Sequence, residues 1–481
     1  MFWSYLVADW RGQSGPAVAR WFHRALALTL AAAWVSMAVQ VKVLIGARGL
    51  LPLGPFLEAA KENGLRFWEF PTLFWRSAPD WLLVGLAWFG AAMALVALAG
   101  FLPRVWLALS IPLYLSYATA CRTFTGFQWD NLLLECLVVA VFLPRDRPAR
   151  LAHIVGRIVL FKLYFESGIA KWQSHLGDWQ NGSAMTYYYE TAPLPTWMAW
   201  YAHHLPVWWH HFESWATLAL ELILPFGIFL IRPIRLFTLV TLTLFQLVNL
   251  LTANYGYFVY LALVLHLFLL DERDLLRKRS PTAKTPTPLR FALDLAAGTA
   301  LLSIVMVVSI TEAIVHFGDS QRWNQSTETL RSAWEPFRLV NTYHLFGHIT
   351  RERIEPELQT LDNGVWTPRH LRHKPGDLAR APDFVAPHQP RVDFQLWFHG
   401  LGYRGGTPEY VITLVDRLCR DPQSVQPLFA ESLPPKPDAA RILYWRYHFT
   451  TVEEKRQTGN WWKREQLAST RAIPCNDSPK P

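Results

Sequence analysis

Apolar residues run in long blocks through the first two thirds of the chain and in short, broken stretches through the last third. The blocks fall at 22–46, 81–101, 105–121, 130–143, 155–171, 212–230, 233–252, 255–270 and 292–316. Crossing the hydrocarbon core of a bilayer takes about 18 or more apolar residues in a helix. The blocks therefore predict an α-helical multi-pass membrane bundle over 1–316, with about nine spans, several of them short. Beyond Phe317 no run of that length occurs, and charge, proline and histidine rise. Residues 317–481 are enough to bury a core of their own and predict a soluble β-rich α+β domain.

Within that domain, ERIEPELQTL alternates in part, DNG at 362–364 suits a tight turn, and VWTPRHLRH returns, which predicts a hairpin. Pro356 demotes its strand toward a sheet edge. The proline-rich APDFVAPHQPRVDFQLWFHGLG reads as a loop and 408–420 as a helix, and RILYWRYHFTTV reads as a strand. The tail from Ile473 has no periodic pattern and is expected to be disordered.

Charge orients the bundle. Composition is 52% hydrophobic and 17% charged, with a formal net charge of +9. The basic residues sit mostly in short loops beside apolar runs, where topology and not nucleic acid accounts for them. Residues 172–211 carry no Lys or Arg, whereas Arg145, Arg147, Arg150 and Arg157 precede them, Arg232 and Arg235 follow, and Arg273, Arg277, Lys278, Arg279, Lys284 and Arg290 crowd the loop before the last run. Basic loops stay cytoplasmic. The expected arrangement has the N-terminus inside, 172–211 outside and everything after Phe317 outside. MFWSYLVADWRGQSG lacks the order of a secretory signal, so Met1 is expected to begin the mature chain in the cytoplasm. FLEAAKENGLRFWEF, in a loop on the outer side, reads as an amphipathic helix on the membrane surface.

Ionisable residues inside apolar runs need partners. Here they are Asp130, Glu135, Lys162, Glu166 and Lys171, with Glu213 and Glu221 further on. Lys162 and Glu166 share a helix face and are expected to pair. Such groups either handle protons or order the bundle as internal ion pairs. Residues 172–211 are dense in Trp, Tyr and His; adjacent histidines point to different helix faces and no HExxH accompanies them, so aromatic anchoring at the membrane boundary is expected and metal binding is not. Cys121, Cys136, Cys419 and Cys475 make no CxxC pair. Cys419 and Cys475 are not expected to form a required disulfide. The chain has no GxSxG elbow, phosphate loop or HExxH, and no cofactor is expected. Asp393, among aromatics, is expected to anchor Arg391 or a loop backbone.

Five stretches carry a resemblance to the lipase maturation factor family. They are FQWDNLLLEC at 127–136, ESGIAKW with MTYYYETAPLP within 166–195, PFRLVNTYHLFGHITRER at 336–353, KPGD with APHQPRVDFQLWF within 374–398, and RYHFT followed by GNWWKRE within 446–465. In animals the family is implied to reside in the endoplasmic reticulum membrane, where a luminal C-terminal domain helps dimeric secreted lipases fold and assemble. The compact loops look bacterial, which moves the expected compartment to the plasma membrane with the domain outside. GLLP at 49–52 and the intramembrane charges are also distantly similar to the vitamin K-dependent carboxylase group, from which no active site carries over.

The leading expectation is a non-enzymatic, membrane-anchored folding or assembly factor whose partners are the lipid bilayer and exported client proteins, lipases among them. Asn341, Thr342, Tyr343, Phe346, Asp393, Trp397, Trp461 and Trp462 lie in the family-like stretches and are the candidate client-binding residues, the aromatic ones through exposure. The alternative is a membrane-embedded enzyme that uses Lys162 and Glu166.

Overall fold

The computed structural model describes residues 15–275, 287–318 and 331–475. The first 14 residues, part of the basic loop (Arg277, Lys278, Arg279 and Lys284) and 476–481 lie outside the described residues.

The membrane half is helical. α1 (Pro16–Ala38) opens with Pro16, whose fixed φ suits a first turn, and is buried on nearly every face. A helix apolar all round belongs in a core. α2 (Asp80–Ala99), α3 (Pro103–Ala120), α4 (Gln128–Val141) and α5 (Arg150–Trp172) surround it. The short α6 (Ala184–Thr191) leads to α7 (Val207–Leu222), which runs into a 3-10 turn at Leu224–Phe229; α8 (Arg232–Thr252), α9 (Phe258–His266) and the long α10 (Pro288–Phe317) follow.

Among the described residues, four segments are long and apolar enough to cross a membrane: Asp80–Ala99, Val207–Phe229, Arg232–Thr252 and Pro288–Phe317. Each also turns large apolar side chains away from the bundle, such as Trp88, Phe212, Phe237 and Ile304, as a lipid-facing surface requires. The other expected runs form α1, α3, α4, α5 and α9. These lie largely inside the bundle, which lets them carry polar groups with partners. Of the amphipathic helix expected over 56–70, only 56–62 is helical, as the end of Leu53–Glu62, and 63–70 run through turns; the apolar side of the helix, Leu53, Leu57 and Ala60, is buried against the protein.

The C-terminal domain is an antiparallel sheet with helices against it. β1 (Arg353–Asp362) and β2 (Val365–Arg369) form the hairpin, with Asn363 and Gly364 both at positive φ (51° and 80°). Two such residues make the turn whose twist matches paired strands. The strand order is β2-β1-β3-β4, with β3 at Ala439–Phe449 and β4 at Trp462–Ser469. β1 is thus interior. Pro356 is tolerated because β2 pairs only from Leu358 onward. Where β2 ends, α11 (Arg391–Leu401) takes over, and a Cβ on Gly400 would lie 2.0 Å from the Ile354 carbonyl oxygen.

The loop expected over 381–402 is therefore corrected. Its prolines end at Pro390, and Val392, Leu396 and His399 then recur at helical spacing and are buried. α12 (Glu409–Arg420) matches the expected helix. The tail also departs from expectation. Ile473–Pro474 forms β5 on β3, the Cys475 N–H donates to the Asp438 carbonyl at 2.9 Å, and Cys475 is disulfide-bonded to Cys419. The strand pairing brings together two cysteines 56 residues apart, a juxtaposition that no local pattern encodes.

Candidate functional site at the seam between bundle and domain

Two buried ionic nodes tie the domain to the membrane helices. The first centres on Asp130 in the first turn of α4, where a helix N-terminus favours an acid. Arg391, the first residue of α11, donates to Asp130 through Nη1 (3.0 Å) and Nη2 (2.8 Å) and to the Phe124 carbonyl (2.7 Å). The Tyr114 and Tyr257 hydroxyls donate to Asp130 Oδ1 at 2.7 and 2.6 Å. A buried pair is tolerable only when its remaining lone pairs and protons are largely used; here both Asp130 oxygens and both terminal guanidinium nitrogens are, and Arg391 Nε is left without a hydrogen-bond partner. Around it, Gln40 accepts from the Arg391 N–H, Ser36 Oγ from the Gln389 N–H, and Asn254 Oδ1 from the Val385 and Ala386 N–H groups. The stretch 383–391 is thereby stitched onto α1, α4 and the 253–257 turn.

The second node corrects the expected Lys162–Glu166 pair. Lys162 Nζ lies 3.1 Å from Glu135 Oε1 on α4, and the Tyr343 hydroxyl donates to the other Glu135 oxygen. Glu166 accepts the Tyr343 N–H at 2.8 Å. One turn further along α5, Lys171 Nζ reaches Glu221 at 2.7 Å and the Leu345 carbonyl at 2.7 Å. Gly168 makes this possible: a Cβ there would lie 2.9 Å from the Glu221 carbonyl carbon, so α5 and α7 approach closely. Trp179 Nε1 donates to the Phe346 carbonyl at 3.1 Å. The stretch 341–348 is thus laid along α4 and α5 with its backbone hydrogen-bonded to their side chains.

A third set of contacts comes from the 172–211 segment. Glu190 accepts from His448 Nδ1 (2.9 Å) and from the Phe449 N–H (2.7 Å). Burial alone would raise its carboxyl, but these hydrogen bonds hold it below its usual value, and the same bond raises His448. Arg353 donates to the carbonyls of Glu190, Ala192 and Pro193 and pairs with Glu355, which also pairs with Lys374. Trp200 Nε1 donates to the Thr450 carbonyl at 3.0 Å.

The candidate residues separate into two groups. Tyr343, Asp393 and Trp462 are buried, with 0%, 3% and 1% of their surface exposed. Asp393 accepts the His373 N–H at 3.0 Å, and burial raises its carboxyl; Arg391 has gone to Asp130 instead. Trp462 stacks on Phe449 with ring centroids 4.4 Å apart, and Trp461 lies half-buried under Lys455. The exposed aromatic surface expected of this tryptophan pair is therefore reduced to part of Trp461. Asn341, Thr342, Phe346 and Trp397 instead border clefts along the seam. An aromatic cleft of about 620 Å³ is lined by Phe127, Trp129, His344, Phe346, Phe394, Trp397 and Phe398, the last of which is 48% exposed. Beside it a polar cleft of about 700 Å³ is lined by Gln128, Asn131, Glu312, Arg331, Asn341 and Thr342.

Sequence reasoning missed Arg353, Glu190, Asn254 and Tyr257 altogether. Each is polar and buried, yet the partner that ties it to the seam lies more than 100 residues away, so no local pattern marks it beyond a polar residue inside an otherwise apolar or aromatic stretch.

Residues 17–277 match the family described as "Lipase maturation factor transmembrane domain" and 339–472 match "Lipase maturation factor C-terminal domain". Human lipase maturation factor 2 is 28% identical over an alignment covering 92% of this chain and 80% of its own length. Bovine lipase maturation factor 1 is 28% identical over 92% of this chain and 86% of its own. No solved structure matches. Both matched regions include the stretches that build the seam, and the chain belongs to the lipase maturation factor family.

Proposed function

We propose that this chain is a membrane-anchored folding and assembly factor for exported proteins, lipases among them, and that clients engage the aromatic cleft at the seam. The observation that carries this reading is the cleft itself. Phe398, 48% exposed, and the half-buried Trp397 from the domain form the rim of an open volume of about 620 Å³, and behind them Phe127 and Trp129 from the bundle are buried, the Phe127 ring 6.5 Å from that of Phe398. An aromatic rim that is partly open and backed by further rings is what an apolar segment of an incompletely folded chain can dock against. The nodes beneath it explain why the domain is fused to the bundle: half of the cleft belongs to each, so its width depends on both.

In this reading the domain is non-cytoplasmic, which the absence of Lys and Arg from 172–211 and the basic loops on the opposite side support. The membrane is the plasma membrane in a bacterium and the endoplasmic reticulum membrane in a eukaryote. Nothing supports the carboxylase alternative: Glu135, Lys162 and Glu166 are occupied in holding Tyr343.

The test is co-expression with a secreted lipase that needs assistance, scoring lipase activity per unit of secreted lipase protein. Phe398→Ser and Trp397→Ser should lower that ratio while the amount of membrane-inserted factor stays constant. Ile412→Ser, a change of another exposed apolar residue, should leave it unchanged. Equal activity with all three variants would overturn the cleft as the client site.

A further inference from the structure

A separate cavity of about 490 Å³ lies inside the bundle between α5, α7 and α8, within the roughly 300–1,000 Å³ typical of small-molecule sites. α7 and α8 are joined by the turn at Leu224–Phe229 and diverge from it, so the space between them is not closed by direct packing. The mouth residues Phe212, Leu244 and Val248 line the cavity and are also about half exposed on the outside of the bundle. These helices are two of the membrane-crossing candidates. The cavity therefore opens sideways, toward lipid, at the end of the bundle that carries the C-terminal domain, whose Leu345 and Phe346 form part of its wall.

Its wall is largely apolar, and its inner end is polar. Lys171 and Glu221 meet there at 2.7 Å and neutralise each other. Gln246, 2% exposed, gives its amide N–H to the Tyr164 hydroxyl at 2.9 Å, and its Oε1 is buried with no hydrogen-bond partner. An unsatisfied buried acceptor is costly, and a hydroxyl-bearing guest would satisfy it.

We propose that this cavity is a binding site for a neutral, single-chain amphiphile of the monoacylglycerol class, its hydrocarbon chain between α7 and α8 and its hydroxyl head at Gln246. Neutrality follows from the self-compensated Lys171–Glu221 pair, which has no net charge to offer an anion, and from Glu213, the other acid of the wall, which is already held by the Tyr189 hydroxyl at 2.9 Å and by His210 Nδ1 at 3.3 Å. A single chain follows from the volume, which cannot enclose both chains and the head of a phospholipid. Entry is from the bilayer through the gap between α7 and α8.

The test uses the full chain in lipid nanodiscs and a monoacylglycerol that carries a photoreactive diazirine in its acyl chain, with cross-linked residues mapped by mass spectrometry. Labelling should concentrate on Leu220, Leu244 and Val248, and unlabelled monoacylglycerol should compete while palmitate and phosphatidylglycerol do not. Gln246→Leu should weaken the competition by about threefold to tenfold, the worth of one neutral hydrogen bond. Ala216→Trp should abolish labelling by filling the space. Val248→Trp does the same at the exposed mouth and serves if Ala216→Trp is not folded by thermal melting. Labelling that falls equally on Phe237 and Val240, away from the cavity, and survives Val248→Trp would reduce the site to ordinary surrounding lipid. Equal competition by palmitate or phosphatidylglycerol would overturn the assigned ligand class.

Discussion

Arg391 and Asp130 are paired across 261 residues of sequence, and neither side chain exposes any surface. One belongs to the C-terminal domain and the other to the membrane bundle, so their contact decides whether the two halves are one body. Removing one member leaves the other charged and buried, a loss of about 3–5 kcal/mol. Arg391→Ala should therefore lower the thermal midpoint of the purified protein and make the connection after α10 more sensitive to limited proteolysis. Arg391→Met combined with Asp130→Leu should recover part of the loss, because no unpaired charge remains. A double variant as damaged as the two single changes added together would show that the pair is not a coupled unit.

The second node makes a sharper distinction, because two acids compete for Lys162. Its geometry assigns the partner as Glu135 at 3.1 Å on α4, with Glu166 committed to the Tyr343 backbone. A double-mutant cycle of Lys162→Met with Glu135→Gln should show coupling of about 1–3 kcal/mol, as for residues in one network. The cycle with Glu166→Gln should show less. Larger coupling to Glu166, read from thermal midpoints, would restore the pairing within one helix.

These two nodes also mark the limit of what local sequence rules reach. The long apolar runs, the Asn363–Gly364 turn and the Glu409–Arg420 helix obey rules that act within a few residues, and all are legible. The i,i+4 rule joins Lys162 to Glu166 for the same reason, and it fails because α4 brings Glu135 within reach. Arg391, Arg353 and Glu190 find their partners through tertiary packing, which no periodicity encodes. The 391–401 helix was hidden by the prolines of 382–390, although Val392, Leu396 and His399 carry its period. Family-like stretches such as 341–348 stand out in the sequence, but their side chains serve the seam as much as any open surface. Tyr343 is wholly buried, whereas Asn341 and Thr342 border a cleft.

The Glu190–His448 contact gives the seam a pH dependence. His448 is raised above its ordinary 6.5, so its contribution is fully present below that pH and is lost as pH rises through the higher folded value. Glu190 is held below its ordinary 4.5, so its contribution is present above that pH and is lost as pH falls through the lower folded value. The contact is strongest between these limits. The difference in thermal midpoint between the native chain and His448→Gln should be largest from pH 4.5 to 6.5 and shrink toward pH 8. A difference that does not vary with pH would remove His448 from the charge balance of the seam.

The Cys419–Cys475 bond predicts that neither thiol is alkylated in the unreduced, denatured chain, while Cys121 and Cys136 are. After reduction all four should react, which mass spectrometry counts directly. Cys475→Ser should cost the domain about 2–4 kcal/mol, typical of a bond that closes a loop of this kind, and should free β5 from β3. Full alkylation without reductant would show that the strand pairing of Ile473 and Pro474 holds the tail alone.

The side of the membrane on which the domain lies governs which proteins it can meet. Pro288–Phe317 is 30 residues long, ample for one crossing, and Arg273–Arg290 holds six basic residues, five before the helix and Arg290 in its first turn. Basic flanks of this kind stay in the cytoplasm, so the domain that follows α10 should be translocated. Glu312, the acid near the far end of α10, is not stranded by this arrangement, because Arg331 and Trp334 of the domain side reach its carboxylate at 3.0 Å. Arg456 lies on the exposed helix Val452–Thr458 and makes a suitable reporter position. Arg456→Cys should react with a membrane-impermeant maleimide in intact cells, while Thr282→Cys should react only after the membrane is opened. Cys121 and Cys136 are buried, which keeps the background low. Reversed labelling would put the aromatic cleft in the cytoplasm, out of reach of exported clients, and the maturation role proposed for this chain would fail with it.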